Sequence, residues 1–406
     1  MTQKSTPHGF DGLGIAPEFL KILKENNFIN PTPIQHQAIK PAMEGKDVVG
    51  IAQTGTGKTL AFGLPLLQVL RGTGKIGLVI LPTRELAIQV DDMLQKIARS
   101  LGLVTAILIG GESMGKQIMN LRRKPNIIIA TPGRLMDHLE RGNLKLDLVK
   151  IIVLDEADRM LDIGFEPQIR KIFSLVPEQR QTMLFSATMP IEIVKIASTY
   201  MASPIRVEVA PAGTTAELVE QEIFLVKKED RFSLLCKLLE EYTGSVLLFL
   251  RTKHGAHKIC AELQAMGHKA IEIHSNRSLI QRKSAMAGFK SGAYRILVAT
   301  DIASRGIDVQ GIQVVINFEL PDNTQDYVHR IGRTGRAGDM GKAISFAMPD
   351  QKRDVRDIER LIRKEIPIKP HGSAQIFLPE GSSTRSFGSR HHLRKGPPRW
   401  RRTRSR

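Results

Sequence analysis

Cysteine is scarce in this chain. Cys236 and Cys260 are the only two among 406 residues, and both fall inside amphipathic segments. That number argues against a disulfide framework or a cysteine-based metal site and predicts buried, reduced thiols. Long apolar runs are missing too, and the opening segment MTQKSTPHGF lacks the apolar stretch of a secretory signal. A cytoplasmic protein with no membrane partner is expected. Acidic residues are in short supply, with 41 Asp and Glu against 59 Lys and Arg, a formal charge of +18. Such an imbalance favours a polyanionic partner.

The positive charge is unevenly placed. After Glu380 the segment GSSTRSFGSRHHLRKGPPRWRRTRSR carries nine basic residues and no acid, half of the total excess. Its Ser, Gly and Pro content with few large apolar residues predicts a disordered tail. Trp400 among the arginines suits stacking on a base within an electrostatic grip. The length before the tail suits two domains of roughly 150 residues or more each.

Short apolar runs recur at 48–52, 77–81, 104–109, 126–130, 150–154 and 182–186, separated by stretches of helical period. This predicts a parallel sheet covered on both faces. The pattern breaks in SPIRVEVAPAGTTAELVEQ and resumes with EIFLV, SVLLFL, KAIEIH, YRILVAT, VVINF and AISFA. We read two α/β domains, at 1–207 and 208–370, followed by a basic tail at 371–406. Polar motifs follow the strands. In open α/β sheets ligands bind off the carboxyl ends of strands, so these motifs are expected along one edge of each sheet.

After the first run stands AQTGTGKT, residues 52–59, leading into LAFGLPLLQVL. Gly55 and Gly57 let successive backbone amides face a triphosphate, with Gln53, Thr54 and Thr56 in the same loop; Lys58 neutralises its outer charge and Thr59 suits Mg2+. The generic pattern wants Gly where Ala52 stands. Residues 151–159, IIVLDEADR, run four apolar residues into Asp155, Glu156 and Asp158. Acids this close repel unless a strong positive charge meets them, and a strand-end carboxylate is the usual second anchor of that Mg2+. Asp155 is thus assigned to the metal, and Glu156 to polarising an attacking water.

These two motifs, with PTPIQ (31–35), PTRELA (82–87), TPGR (131–134), SAT (186–188), ATDIASRGID (299–308) and HRIGRTGR (329–336), resemble a DEAD-box RNA helicase over about Phe10 to Pro370. HSNRS and the basic tail resemble its bacterial RhlE-like group. The resemblance implies two tandem RecA-like domains and an ATP hydrolase driven by ATP and Mg2+. It implies that Gln35 reads the adenine, Phe10 stacks on it and Asp308 binds the ribose. Arg333 and Arg336 would be arginine fingers from the second domain, and Arg305 would organise the closed site. His329 and Arg330 would link to the acidic and SAT motifs, with Ser186 and Thr188 coupling nucleotide state to RNA separation.

An RNA path would use Pro82, Thr83, Arg84, Gly110, Gly111, Thr131, Gly133 and Arg134, then Arg251, Thr252, Thr300 and Asp301 from the second domain. Small residues and helix starts let amides approach phosphates, which positions a strand without reading its bases. Two departures stand out. Asn27 replaces a common Gly before Phe28, and Leu279 replaces the Gln of a QxxR element whose basic position, Arg282, is kept. A monomer is expected, and no feature identifies a ribosomal or RNA-decay protein partner. A DNA translocase on the same plan, or a non-catalytic RNA chaperone, is the alternative.

Deleting the residues after 380 is expected to weaken RNA binding and flatten its salt dependence. Losing about five phosphate contacts lowers the log–log slope by roughly 3.5 for single strands, which a salt titration of RNA affinity measures.

Overall fold

A computed structural model of the chain describes residues 9–53, 55–209, 219–301, 311–335 and 341–371. Each apolar run forms a strand. The first sheet comprises β1 (Val48–Ile51), β2 (Ile76–Ile80), β3 (Thr105–Leu108), β4 (Ile127–Ala130), β5 (Val149–Leu154), β6 (Gln181–Ser186) and β7 (Ile205–Glu208). Its order is β3-β4-β2-β5-β6-β1-β7, and every pairing is parallel. The second sheet contains β8 (Val219–Leu225), β9 (Val246–Leu250), β10 (Ala270–Ile273), β11 (Ile296–Thr300), β12 (Val314–Asn317), β13 (Gly341–Ala347) and β14 (Ile368–Pro370). Its order, β10-β11-β9-β12-β13-β8-β14, repeats that of the first, again all parallel.

Helices cover both faces of the first sheet, so its central strands are buried on both sides. One apolar cluster joins Phe62, Val79, Ile129, Val153 and Phe185; another joins Leu78, Ile128, Ile152 and Leu184. The strands β7 and β14 lie outside the runs seen in the sequence. Residues 205–208, read above as part of the interdomain break, extend the first sheet beside β1. Both are edge strands: β7 buries only Val207 and β14 none of its residues, so neither carries an apolar signature. Among the described residues no helix is long and apolar enough to cross a membrane.

Backbone geometry accounts for two sequence departures. Asn27 follows the helix Pro17–Glu25 at φ +61, the left-handed region where Gly is favoured and Asn tolerated. Ala52 continues β1, its N–H donating to the Ser186 carbonyl at 3.0 Å, and needs no such conformation.

The two halves meet across a seam beside the carboxyl edges. Leu279 opens the helix Leu279–Lys290 of the second half, yet belongs to the first half's apolar cluster. One turn later Arg282 donates to Glu85 at 2.8 Å, with both side chains buried. Burial pushes the Glu85 carboxyl up, and the Arg282 guanidinium opposes that shift. Arg282, which keeps the basic position of the QxxR element, is therefore committed to a carboxylate of the other half. Its charge would otherwise be buried alone.

Removing one partner of a buried ion pair leaves the other uncompensated. Arg282→Met is expected to disfavour apposition of the halves by about 3 kcal/mol, while Glu85→Gln with Arg282→Met recovers most of that loss. Resonance energy transfer between dyes on the two halves measures the apposed fraction.

Candidate functional site

The turn from β1 into the helix Lys58–Leu70 is set by glycine. Gly55 and Gly57 hold φ +89 and +91, and a Cβ on Gly57 would meet the Gln35 amide nitrogen at 2.3 Å. Gln35 is buried, accepting from the Thr32 N–H at 3.0 Å and donating to the Gly57 carbonyl at 2.9 Å. It thus braces the loop, and each of its amide atoms keeps one further hydrogen-bonding capacity for a base. Thr56 donates to the Gln53 carbonyl at 2.7 Å, closing the loop from within. Phe10 joins the first half's apolar cluster and is buried, rather than presenting an open ring face. The apolar surroundings at this end of the chain account for that packing.

Lys58 is buried, 3.8 Å from an Asp155 oxygen, and its ammonium has no hydrogen-bond acceptor among the described residues. The Gln53 amide nitrogen is buried and has no partner among them either. An orphaned ammonium beneath a glycine-shaped loop is what a phosphate group would satisfy, so these residues fit a nucleoside triphosphate. The Thr59 hydroxyl and the Asp155 carboxylate are hard oxygen donors of the kind Mg2+ prefers.

The acids terminate β5 and enter the helix Ala157–Asp162, and all three are buried. Glu156 takes φ +51, a left-handed conformation that costs a non-glycine residue about 1–2 kcal/mol. Burial pushes Asp155 up to about 6, with Lys58 opposing and Glu156 adding to the rise. Burial also acts to raise Glu156, but Arg159, Lys58 and Arg333 together hold its carboxyl far below the usual range. Arg159 donates to Glu156 at 2.7 Å. Glu156 therefore stays ionised, an acceptor able to orient water.

Arg333 belongs to the second half, so its effect on Glu156 brings the two carboxyl edges together. His329, on the helix Thr324–Ile331, faces the same acids. Burial lowers it to about 4, Arg159 adds to the fall, and Asp158 and Glu156 oppose it. Arg333 donates to the His329 carbonyl at 3.1 Å and is itself buried. In the first half the SAT segment is tied to the acids: Asp158 accepts from the Thr188 N–H and hydroxyl at 2.9 and 2.8 Å, and the Asp158 N–H donates to Ser186 at 3.2 Å.

Arg330 departs from expectation. Its described partners all lie in the second half: both Asp301 oxygens at 2.6 Å, Asn317 at 3.1 Å and the Glu319 carbonyl at 2.6 Å, with the guanidinium over the Phe249 ring at 5.0 Å. The nearest carboxylate and a ring face capture it before it can cross to the first half. Asp301, expected to touch RNA, is engaged by the same bidentate pair. Thr54, Arg305, Asp308, Arg336 and the basic tail lie outside the described residues.

Next to this centre, a cavity of about 450 Å3 is lined by Pro82, Thr83, Arg84, Gly110, Gly111, Thr131, Gly133 and Arg134, all eight first-half residues assigned to an RNA path. The helices Arg84–Ala98 and Pro132–Glu140 start at its wall, so unpaired amides face inward. A Cβ on Gly111 would meet the Arg84 guanidinium at 2.5 Å, so only glycine lets that side chain lie across the loop. The second half contributes Ser275 and Arg282. Arg251, Thr252, Thr300 and Asp301 do not line it. Arg251 donates to Asp322 at 2.9 Å, and the Thr252 hydroxyl caps the helix Lys253–Ala265. Sequence reasoning missed Phe165 and Ile163 on the cavity wall, whose apolar spacing carries no ligand signal.

Comparisons with known proteins agree with this geometry. Residues 32–196 match the DEAD/DEAH box helicase family, and residues 230–338 match the helicase conserved C-terminal domain. The ATP-dependent RNA helicase DbpA of Bacillus subtilis is 42% identical over 360 residues, spanning 88% of this chain and 75% of that protein. The ATP-dependent rRNA helicase RRP3 of Debaryomyces hansenii is 40% identical over 372 residues, 91% of this chain and 78% of that protein. S. cerevisiae Dbp5 bound to RNA and ADP BeF3 superimposes with a TM-score of 0.80 at 29% identity, covering 89% of this chain and 95% of that one. These matches bear on the family and leave the RhlE-like subgroup unassigned. With its two tandem RecA-like domains, the chain belongs to the DEAD/DEAH box helicase family.

Proposed function

We infer that the protein is an ATP-dependent RNA helicase that grips single-stranded RNA by its backbone and couples ATP hydrolysis to local opening of short duplexes or remodelling of ribonucleoprotein. One observation carries this reading above the others: a buried carboxylate of the first half, Glu156, is held ionised by Arg159 and Lys58 beside it, and Arg333 of the second half adds to their effect. The proposed units are 1–207, 208–370 and a basic tail at 371–406, a division that separates the two sheets except for the last residue of β7. The cytoplasm is the proposed place of action, and a monomer the proposed state. The RhlE-like placement rests on HSNRS and the tail alone.

In this mechanism Gly55, Gly57 and the first amides of the following helix bind the phosphates, and Lys58 neutralises the outer ones. Gln35 holds the loop from below and offers its remaining N–H and lone pair to the adenine. Thr59 and Asp155 would hold Mg2+, which supplies charge neutralisation across the phosphates. Glu156 accepts a hydrogen bond from water and aims its oxygen at the γ-phosphorus; its low proton affinity makes it an orienting group more than a strong base. Arg333, and Arg336 beside it in sequence, stabilise charge on the transferring phosphoryl group. ATP is cleaved to ADP and phosphate with uptake of one water.

Coupling follows from the bonds of Asp158. A shift in the acids moves Ser186 and Thr188 with them. It is also felt by His329, and the phosphate-binding cavity needs Arg282 of the second half beside Arg84 of the first. RNA and ATP therefore favour the same apposed state, and loss of phosphate removes one of the two ties.

Glu156→Gln is expected to keep ATP binding and lower RNA-stimulated turnover by about 10²–10⁴-fold, measured by phosphate release alongside fluorescent-nucleotide binding. Full turnover in that variant would discard the assigned role. With wild-type protein, an oligoribonucleotide should stimulate hydrolysis well above its DNA counterpart. Equal stimulation would favour a DNA translocase.

A further inference from the structure

The edge of the first sheet opposite the motifs, where β2 and β4 begin and the chain enters β5, carries a second cavity, of about 730 Å3. It lies between the helix Met114–Arg122 and the loop at 143–148. The helix fully buries only Gln117, which leaves Ile118 and Leu121 half-covered. Leu144 is half-buried across from them, and Leu148 is 48% exposed. Leu121 and Leu144 pack on the apolar cluster beneath and keep part of their surface open, so with Ile118 and the exposed Leu148 they give the cavity a partly open apolar floor.

The rim is of one sign. Lys75, Arg122, Lys124 and Lys145 line it, no carboxylate does, and none of the four has an ionic partner among the described residues. Lys124 holds φ +52, a backbone conformation in which glycine is favoured, so a charged side chain is kept where the turn alone would call for none. The position excludes these cations from the RNA path, which runs along the carboxyl edge. An apolar floor also offers a phosphate backbone nothing to pair with, whereas it matches the stripe of an amphipathic helix.

We propose that this groove docks an acidic amphipathic helix of a partner protein, with its apolar stripe on Ile118, Leu121, Leu144 and Leu148 and its carboxylates toward the four cations. The apolar contact supplies attraction, and the charge complementarity sets orientation and association rate. The choice of a protein over RNA rests on the RNA path proposed above; none of the groove residues belongs to the nucleotide or RNA sites.

The full chain and a fluorescein-labelled synthetic helix of about 15 residues, with Leu on one face and Glu on the others, test it by fluorescence anisotropy. Saturable binding is expected, weakened about tenfold or more by Lys124→Glu with Lys145→Glu and, independently, by Leu148→Asp, with RNA-stimulated hydrolysis unchanged in both variants. Retained hydrolysis reports intact folding. The proposal is overturned if no saturable binding is seen, or if neither variant weakens it. It also fails if a peptide of the same composition with scattered Leu binds equally well, or if an oligoribonucleotide displaces the probe, which would make the groove part of the RNA surface.

Discussion

Negative charge buried at the carboxyl end of β5 governs how the two halves of this protein can be arranged. Taking a carboxylate out of water costs several kcal/mol unless a cation meets it. Lys58 and Arg159 do part of this from within the first half, and Arg333 adds to it from the second. The split of the acids follows: Asp155 is pushed toward protonation while Glu156 is held ionised, so one local cluster presents two different proton affinities. In the function proposed above, a triphosphate beside Lys58 would raise the local negative charge and with it the attraction for second-half guanidinium groups, and loss of phosphate would lower both. Nucleotide state would then bias the apposition of the halves through charge.

The same strand order in both sheets gives both halves a polar carboxyl edge, but the two edges are stiffened differently. In the first, glycine turns and the Gln35 brace shape a loop whose backbone suits an anion. In the second, Arg330 is locked by Asp301, Asn317 and the Glu319 carbonyl above the Phe249 ring. That lock lies between His329 and Arg333 on the chain. It holds the end of the helix Thr324–Ile331 as a fixed platform, so the residues flanking Arg330 reach the acids from a rigid base. A buried guanidinium with four polar partners is too expensive to move, which suits it to this anchoring role more than to crossing the cleft.

Much of this was legible in the sequence, and what was not has a common cause. Twelve apolar runs became strands because central parallel strands are buried on both faces and must be apolar throughout. The edge strands β7 and β14 bury almost nothing and left no such trace. Motif backbones were placed well, since glycine at Gly55, Gly57 and Gly111 and helix starts after Thr83 and Thr131 dictate local geometry directly. Asn27 belongs with them, as its departure from Gly respects the same left-handed turn. The partners of long cationic side chains were not legible. Arg282, Arg330 and Arg251 each pair with a carboxylate distant in sequence, and nothing in spacing says which carboxylate the fold will bring within reach.

The seam combines two kinds of contact between the halves. Leu279 and Arg282 stand one turn apart on the same helix face, the first making a non-directional apolar contact and the second a directional ion pair with Glu85. Apolar contact alone would favour many relative placements of the halves, and the ion pair selects the one in which Glu85 is satisfied. Glu85 directly follows Arg84, and Arg282 and Arg84 line the same cavity. The wall of that cavity formed by Ser275 and Arg282 exists only when the halves meet. Leu279 makes its part of that seam by burial, so apposition gains there from the exclusion of water.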